Sequence, residues 1–132
     1  MEQPPQHISE TEAFIHACIK GRDAGTDLVW ALLANGAFVG CCGFHNIQSR
    51  KPHFGLWVKE AAQGMGRGSD VVAFMLPWGL RQLEVDFIRY PVDERNTRSI
   101  RIIGRLGAQL ATNADFQLSD DLQLREYRVY PE

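Results

Sequence analysis

Residues 63–68 read Gln-Gly-Met-Gly-Arg-Gly, with glycines at three alternate positions, Gly64, Gly66 and Gly68. The run follows a hydrophobic segment, Phe54-Gly-Leu-Trp-Val58. It precedes a stretch from Ser69 in which Val71, Val72, Phe74, Met75, Trp78 and Leu83 recur at helical spacing. Glycine accepts φ > 0 and lets a ligand come close to the backbone. The amides that open the following helix point to the same place, and the helix dipole favours an anion there. The segment reads either as a phosphate or pyrophosphate cradle or, more plainly, as a pliable strand-to-helix loop. A Walker A loop is excluded, because Gly68-Ser69-Asp70 has no Lys. A dinucleotide GxGxxG fits poorly, because Ser69 stands where its third glycine belongs and the preceding strands look antiparallel.

Working outward, residues 1–8 form a loose lead-in with Pro4 and Pro5. Ser9 and Glu12 fit a capping box, and the helix they open ends near Gly21 or Gly25. Leu28–Leu33, Ala37–Ile47 and His53–Val58 read as strands of an antiparallel meander. Asn35-Gly36 makes its first turn, and residues 48–52 a polar connection. Beyond the glycine run, Pro77 falls inside the helix and is expected to kink it. Val85–Pro91 is a strand, so the strand–helix–strand order implies one parallel crossover. A short helix spans Thr97–Leu106 and stops at Gly107. Residues 108–117 and 122–130 form a closing hairpin that turns at 119–121. The expectation is one α/β domain over residues 1–132, a mixed and largely antiparallel sheet flanked by helices.

Composition narrows the function classes. The 132 residues suit a single domain with its own core. Fourteen Lys and Arg against sixteen Asp and Glu give a net charge of −2, which argues against general nucleic-acid binding. Adjacent Cys41 and Cys42 point to opposite faces of a strand, and with Cys18 they form neither a disulfide framework nor a metal-ligand spacing. No apolar run reaches membrane-spanning length, and the polar start is not a signal peptide. A cytoplasmic protein with no metal, membrane or nucleic-acid partner is expected.

Gln63-x-x-Gly66-x-Gly68 resembles the acyl-CoA pyrophosphate loop of the GNAT N-acetyltransferases. Phe54–Val58 resembles the strand before that loop. Asn96-x-x-Ser99 resembles the family's Asn-x-x-Ser stretch, and Leu106-Gly107 its closing helix end. The Asn-x-x-Ser form points to the RimJ/RimL-like branch. Two departures stand out. The family's usual first strand and helix do not fit ahead of Ser9, which leaves an uncovered sheet edge open to a partner or a second copy. Ala108 stands where an aromatic often follows Leu-Gly.

The resemblance implies acetyl-CoA as the acyl donor and a primary amine, on a peptide N-terminus or a small molecule, as acceptor. Gln63, Gly64, Met65, Gly66, Arg67, Gly68 and Ser69 would hold the pyrophosphate, and Trp57, Val58 and Lys59 the pantetheine arm. An amide near Val58 would face the oxyanion. Asn96 is a cofactor contact, a helix cap, or both, and Ser99 is the candidate acid for the departing thiolate. For the base, Glu94, Glu60, His53, Glu126 and an ordered water stay open, and His45 and His53 flank one connection that would face the acceptor. Arg95, Arg98, Arg101 and Arg105 form a basic stripe that is either a solvated face or a contact for the CoA phosphates. The alternatives to the enzyme are a truncated acyl-CoA-binding module acting through a partner, and a nucleotide-binding regulatory domain.

Overall fold

The computed structural model describes residues 8–59, 66–111 and 124–132, with 8–14 and Arg67 as backbone only. Chain order is α1 (Ile8–Ala24), β1 (Asp27–Ala34), β2 (Ala37–His45), a 3-10 turn (Ile47–Ser49), β3 (His53–Val58) and α2 (Arg67–Gln82). Then come β4 (Ile88–Asp93), α3 (Thr97–Arg105), β5 (Gln109–Leu110) and β6 (Leu124–Val129). The strands form one sheet in the order β1-β2-β3-β4-β6-β5. Its pairings are antiparallel except for β3 with β4.

Asn35 and Gly36, with φ of 53° and 82°, form the expected tight turn between β1 and β2. A bulge between Leu32 and Leu33 then shifts the register, so that Asp27 faces His45 rather than Phe44. One sheet face carries the apolar core. Phe44 and Phe54 from the sheet meet Val72 and Leu76 from α2 and Ile103 from α3, all essentially excluded from solvent. Each such side chain contributes roughly 1.5–3 kcal/mol by burial. Helix and sheet come close because Gly79 has no side chain, since a Cβ there would lie 2.6 Å from Phe44 Cζ.

The opposite face carries a polar row. Asp27, His45, His53, Arg89 and Arg128 stand side by side on five neighbouring strands, so their side chains share that face.

The seam between β3 and β4 opens almost as soon as it forms. Among the described residues the two strands pair at His53 and Arg89, with the Arg89 amide donating to the Pro52 carbonyl at 2.8 Å. By alternation the next position of β4 that faces β3 is Pro91, which has no amide to donate. The ladder stops there and the strands part.

Several expectations shift. The strand expected over Val85–Pro91 runs from Ile88 to Asp93. Residues before Ile88 are a connection, pinned where the Asp86 amide donates to Arg50 O at 2.7 Å. Leu83 caps α2 rather than lying inside it, and Pro77 is accommodated within one helix. Arg95 lies in the turn before α3, so only Arg98, Arg101 and Arg105 share that helix. The first helix already includes Ser9, and the capping side chains of Ser9 and Glu12 lie outside the described residues, as does the 119–121 turn.

Candidate functional site

Where β3 and β4 part, a cleft of about 550 Å³ runs between them to the start of α3. Leu56, Tyr90, Val92, Asn96 and Ser99 line it, together with His45, His53 and Gly55 from the polar face. The Lys59 amide donates to Val39 O at 2.7 Å, on the β2 side of the strand. By alternation the backbone groups of Leu56 and Val58 turn toward β4. Trp57 instead packs its ring on Phe38, centroids 6.0 Å apart, and the Lys59 ammonium sits 6.0 Å from the same ring.

Beside the cleft, next to its lining residue Leu56, α2 begins. Gly66 is its N-cap, with φ of 77° and no side-chain cap bond. Arg98 reaches across from α3, so that its Nη2 lies 2.8 Å from the place a Gly66 Cβ would occupy. A guanidinium and the first amides of a 16-residue helix therefore meet at one point, and both favour an anion. Gly68 lies close under Leu56, and Ser69 is half-buried in the first turn. Gln63, Gly64, Met65 and Glu60, with the Arg67 side chain, fall outside the described residues.

Asn96 caps α3, its Oδ1 accepting from the Ser99 amide at 3.2 Å. Ser99 also hydrogen-bonds the buried Tyr90 side chain. Burial raises the Tyr90 hydroxyl above its ordinary range and keeps it protonated, with the Ser99 bond opposing that in part. A tyrosine and a serine thus place two hydroxyls at the cleft wall.

Of the sequence-derived base candidates, Glu94 binds Arg125 at 2.9 Å. Glu126 is buried, bound to Arg128 at 2.8 Å and facing Arg89 at 3.6 Å, and its Oε1 has no hydrogen-bond partner. His53 is pushed down to about 4, by burial first and by His45 second. Asp93, also on the cleft wall, is held at about 2 by the Arg95 side chain and backbone. His45 differs: its Nδ1 lies 2.8 Å from Asp27 Oδ1 and its ring stacks on His53 with centroids 5.0 Å apart. Asp27 and Tyr90 were not legible as site residues. The bulge that brings Asp27 opposite His45 leaves no signature in the sequence, and Tyr90 reads as a core aromatic.

No group of three His, Cys, Asp or Glu among the described residues is placed to hold a metal. The cysteines are free thiols, Cys42 in the core and Cys41 on the other face, as adjacency in a strand requires. No helix among the described residues is long and apolar enough to cross a membrane.

A family model described as an acetyltransferase (GNAT) domain matches residues 1–109. Among solved structures, RimL, a ribosomal L7/L12 α-N-protein acetyltransferase in complex with coenzyme A, superposes with a TM-score of 0.74 and 16% identity. The match covers 93% of this chain and 72% of RimL. RimJ of Mycobacterium smegmatis, also bound to a coenzyme A species, gives 0.78 and 16%, over 98% and 67%. A spermidine N-acetyltransferase chimera from Vibrio cholerae and hSSAT gives 0.71 and 16%, over 98% and 80%. At these identities the likeness is one of fold. No curated protein sequence matches the chain.

Proposed function

The chain belongs to the GNAT family of acetyl-CoA-dependent N-acetyltransferases, and we propose that it passes the acetyl group to a primary amine by direct attack within a ternary complex. The observation that carries this reading is the seam that opens at Pro91. It leaves a cleft of about 550 Å³ with a hydroxyl pair on its wall, and the start of α2, where an anion is favoured, adjoins it through the Gly68–Leu56 and Gly66–Arg98 contacts. Gly66, Gly68, Ser69 and Arg98 hold the pyrophosphate, with Gln63, Gly64, Met65 and Arg67 completing the loop. The amide-rich pantetheine arm lies along the backbone of Leu56 and Val58. Trp57 and Lys59 act from the far side of that strand, where their side chains brace Phe38.

The chemistry then follows from the wall. The amine nitrogen bonds to the thioester carbon, and the carbonyl electron pair moves to oxygen. When the C–S bond breaks, the thiolate takes a proton from the Ser99–Tyr90 pair, with Asn96 fixing the start of α3 that carries Ser99. Donor, acceptor and hydroxyl pair need only be held in place, so much of the acceleration is positional. The RimJ/RimL-like outline favours a peptide α-amine as acceptor, and the spermidine-enzyme likeness keeps a polyamine open. Cysteine usage supports a cytoplasmic location.

The test is thiol release from acetyl-CoA with a peptide bearing a free N-terminal serine and, separately, with spermidine, the product identified by mass. Acetylation of either, reduced tenfold or more in Ser99→Ala, is expected. Acetyl-CoA binding with no release in either case would favour a non-catalytic acyl-CoA-binding module.

A further inference from the structure

We propose that His45, oriented by Asp27, is the base that takes the proton from the attacking amine. This rests on the acetyltransferase reading and adds the group that reading lacks. His45 ends β2 and lies in the wall of the cleft. Its Nδ1 is committed to Asp27 Oδ1 at 2.8 Å. The other ring nitrogen, Nε2, points along the sheet face to Gly55, where it would stand 3.7 Å from a Cβ. Gly55 has none, so no β3 side chain covers Nε2 there, and both His45 and Gly55 line the cleft. That is the geometry of an imidazole with one nitrogen held and the other presented.

Asp27 is itself fixed. Thr26 Oγ1 lies 2.7 Å from its Oδ2, and Gly21 of α1 leaves room for the carboxylate, because a Cβ there would collide with it. Burial raises the Asp27 carboxyl, but the bonds from Thr26 and His45 outweigh this and leave it below its ordinary value. It is an anion at neutral pH, which sets the tautomer with the proton on Nδ1 and supports the imidazolium once it forms.

The groups around the pair are consistent with this role. His53 stacks on His45 from β3 and is neutral at pH 7. Arg89 stands next in the row on β4, facing Glu126 of β6. Cys18 of α1 lies toward Asp27 and is raised by burial first and that carboxylate second, so it stays a thiol. The nearby carboxylates are engaged elsewhere, Asp93 by Arg95 and Glu94 by Arg125.

The step balances. His45 Nε2 takes one proton from the ammonium, and the freed lone pair forms the C–N bond. On collapse the C–S bond breaks. The thiolate takes a proton from the Ser99–Tyr90 pair, the amide nitrogen returns its second surplus proton to that pair, and the proton on His45 passes to solvent.

The experiment follows thiol release from saturating acetyl-CoA with n-butylamine as acceptor, from pH 5.5 to 9. A positioned base gives a rate that climbs with pH and then levels off as that base is fully deprotonated. In His45→Gln the rate at pH 7 falls about a hundredfold, as expected for loss of general-base catalysis. It then climbs without levelling, tracking free amine alone, while acetyl-CoA affinity stays within twofold of the parent. Asp27→Asn lowers kcat, by less than His45→Gln, and leaves KM for acetyl-CoA unchanged, a split that a merely structural residue would not give. Imidazole added to His45→Ala restores part of the rate. A His45→Gln protein that binds acetyl-CoA and keeps the parent's rate and shoulder overturns the proposal. A parent that fails to bind acetyl-CoA overturns the proposed acetyl transfer, and the His45 role with it, so the two failures are distinct.

Discussion

Two histidines five ångströms apart do different things, and the difference lies in what surrounds each ring. His45 has a carboxylate on one nitrogen, whereas His53 is half-buried beside the His45 ring and Arg89, where a proton is disfavoured. The consequence for His53 is thermodynamic. In the unfolded chain it titrates near 6.5, and in the fold it is lowered to about 4. Between those values the unfolded chain binds more protons. Stability is therefore complete above about pH 6.5 and is lost as the pH falls toward about 4. Urea unfolding at pH 7 and pH 5 should show a clear drop for the parent and a smaller one for His53→Gln. An equal drop in both would place the acid sensitivity elsewhere. Asp27 does not confuse the reading, because its lowered carboxyl titrates below this window.

At the scale of elements, the cleft comes from one missing amide. Pro91 faces β3 just past the Arg89 pairing, so the parallel ladder cannot take its next step. Pro91→Val supplies that donor. The variant should be as stable as the parent or up to about 1 kcal/mol more so, the value of one added backbone bond. It should bind acetyl-CoA about fivefold more weakly, because the seam closes. Thermal unfolding and calorimetry together check this, and unchanged affinity would mean that something other than Pro91 holds the strands apart. Much at this scale was legible. Asn35-Gly36 specified its turn, alternation set Cys41 and Cys42 on opposite faces, and periodicity put Val72 on the helix that packs against the sheet, although Phe74 of the same run is exposed and the buried Leu76 was not in it. What local patterning missed depends on tertiary context. The apolar run from Leu83 reads as strand from Val85, but the chain uses it to cross from α2, held by Arg50 and Asp86. The bulge at Leu32 is equally silent, yet it alone decides that Asp27 meets His45 and not Phe44.

For the molecule as a whole, the sheet divides the labour between its faces. One face, under α2 and α3, supplies the core and carries the start of α2. The other carries a polar row from Asp27 to Arg128, and the opened seam joins the two. A donor held from the first face and an acceptor approaching from the second would meet at Leu56 and Tyr90. The role of Gly66 at the pyrophosphate site has a direct measurement: calorimetric titration of acetyl-CoA into the parent and into Gly66→Glu. The substitution puts bulk and negative charge beside Arg98, at a position whose φ of 77° already disfavours a side chain. Micromolar binding to the parent, lost by at least a hundredfold in a variant that keeps its circular dichroism, is the result this account predicts. Equal binding by both, or none by a folded parent, would contradict it.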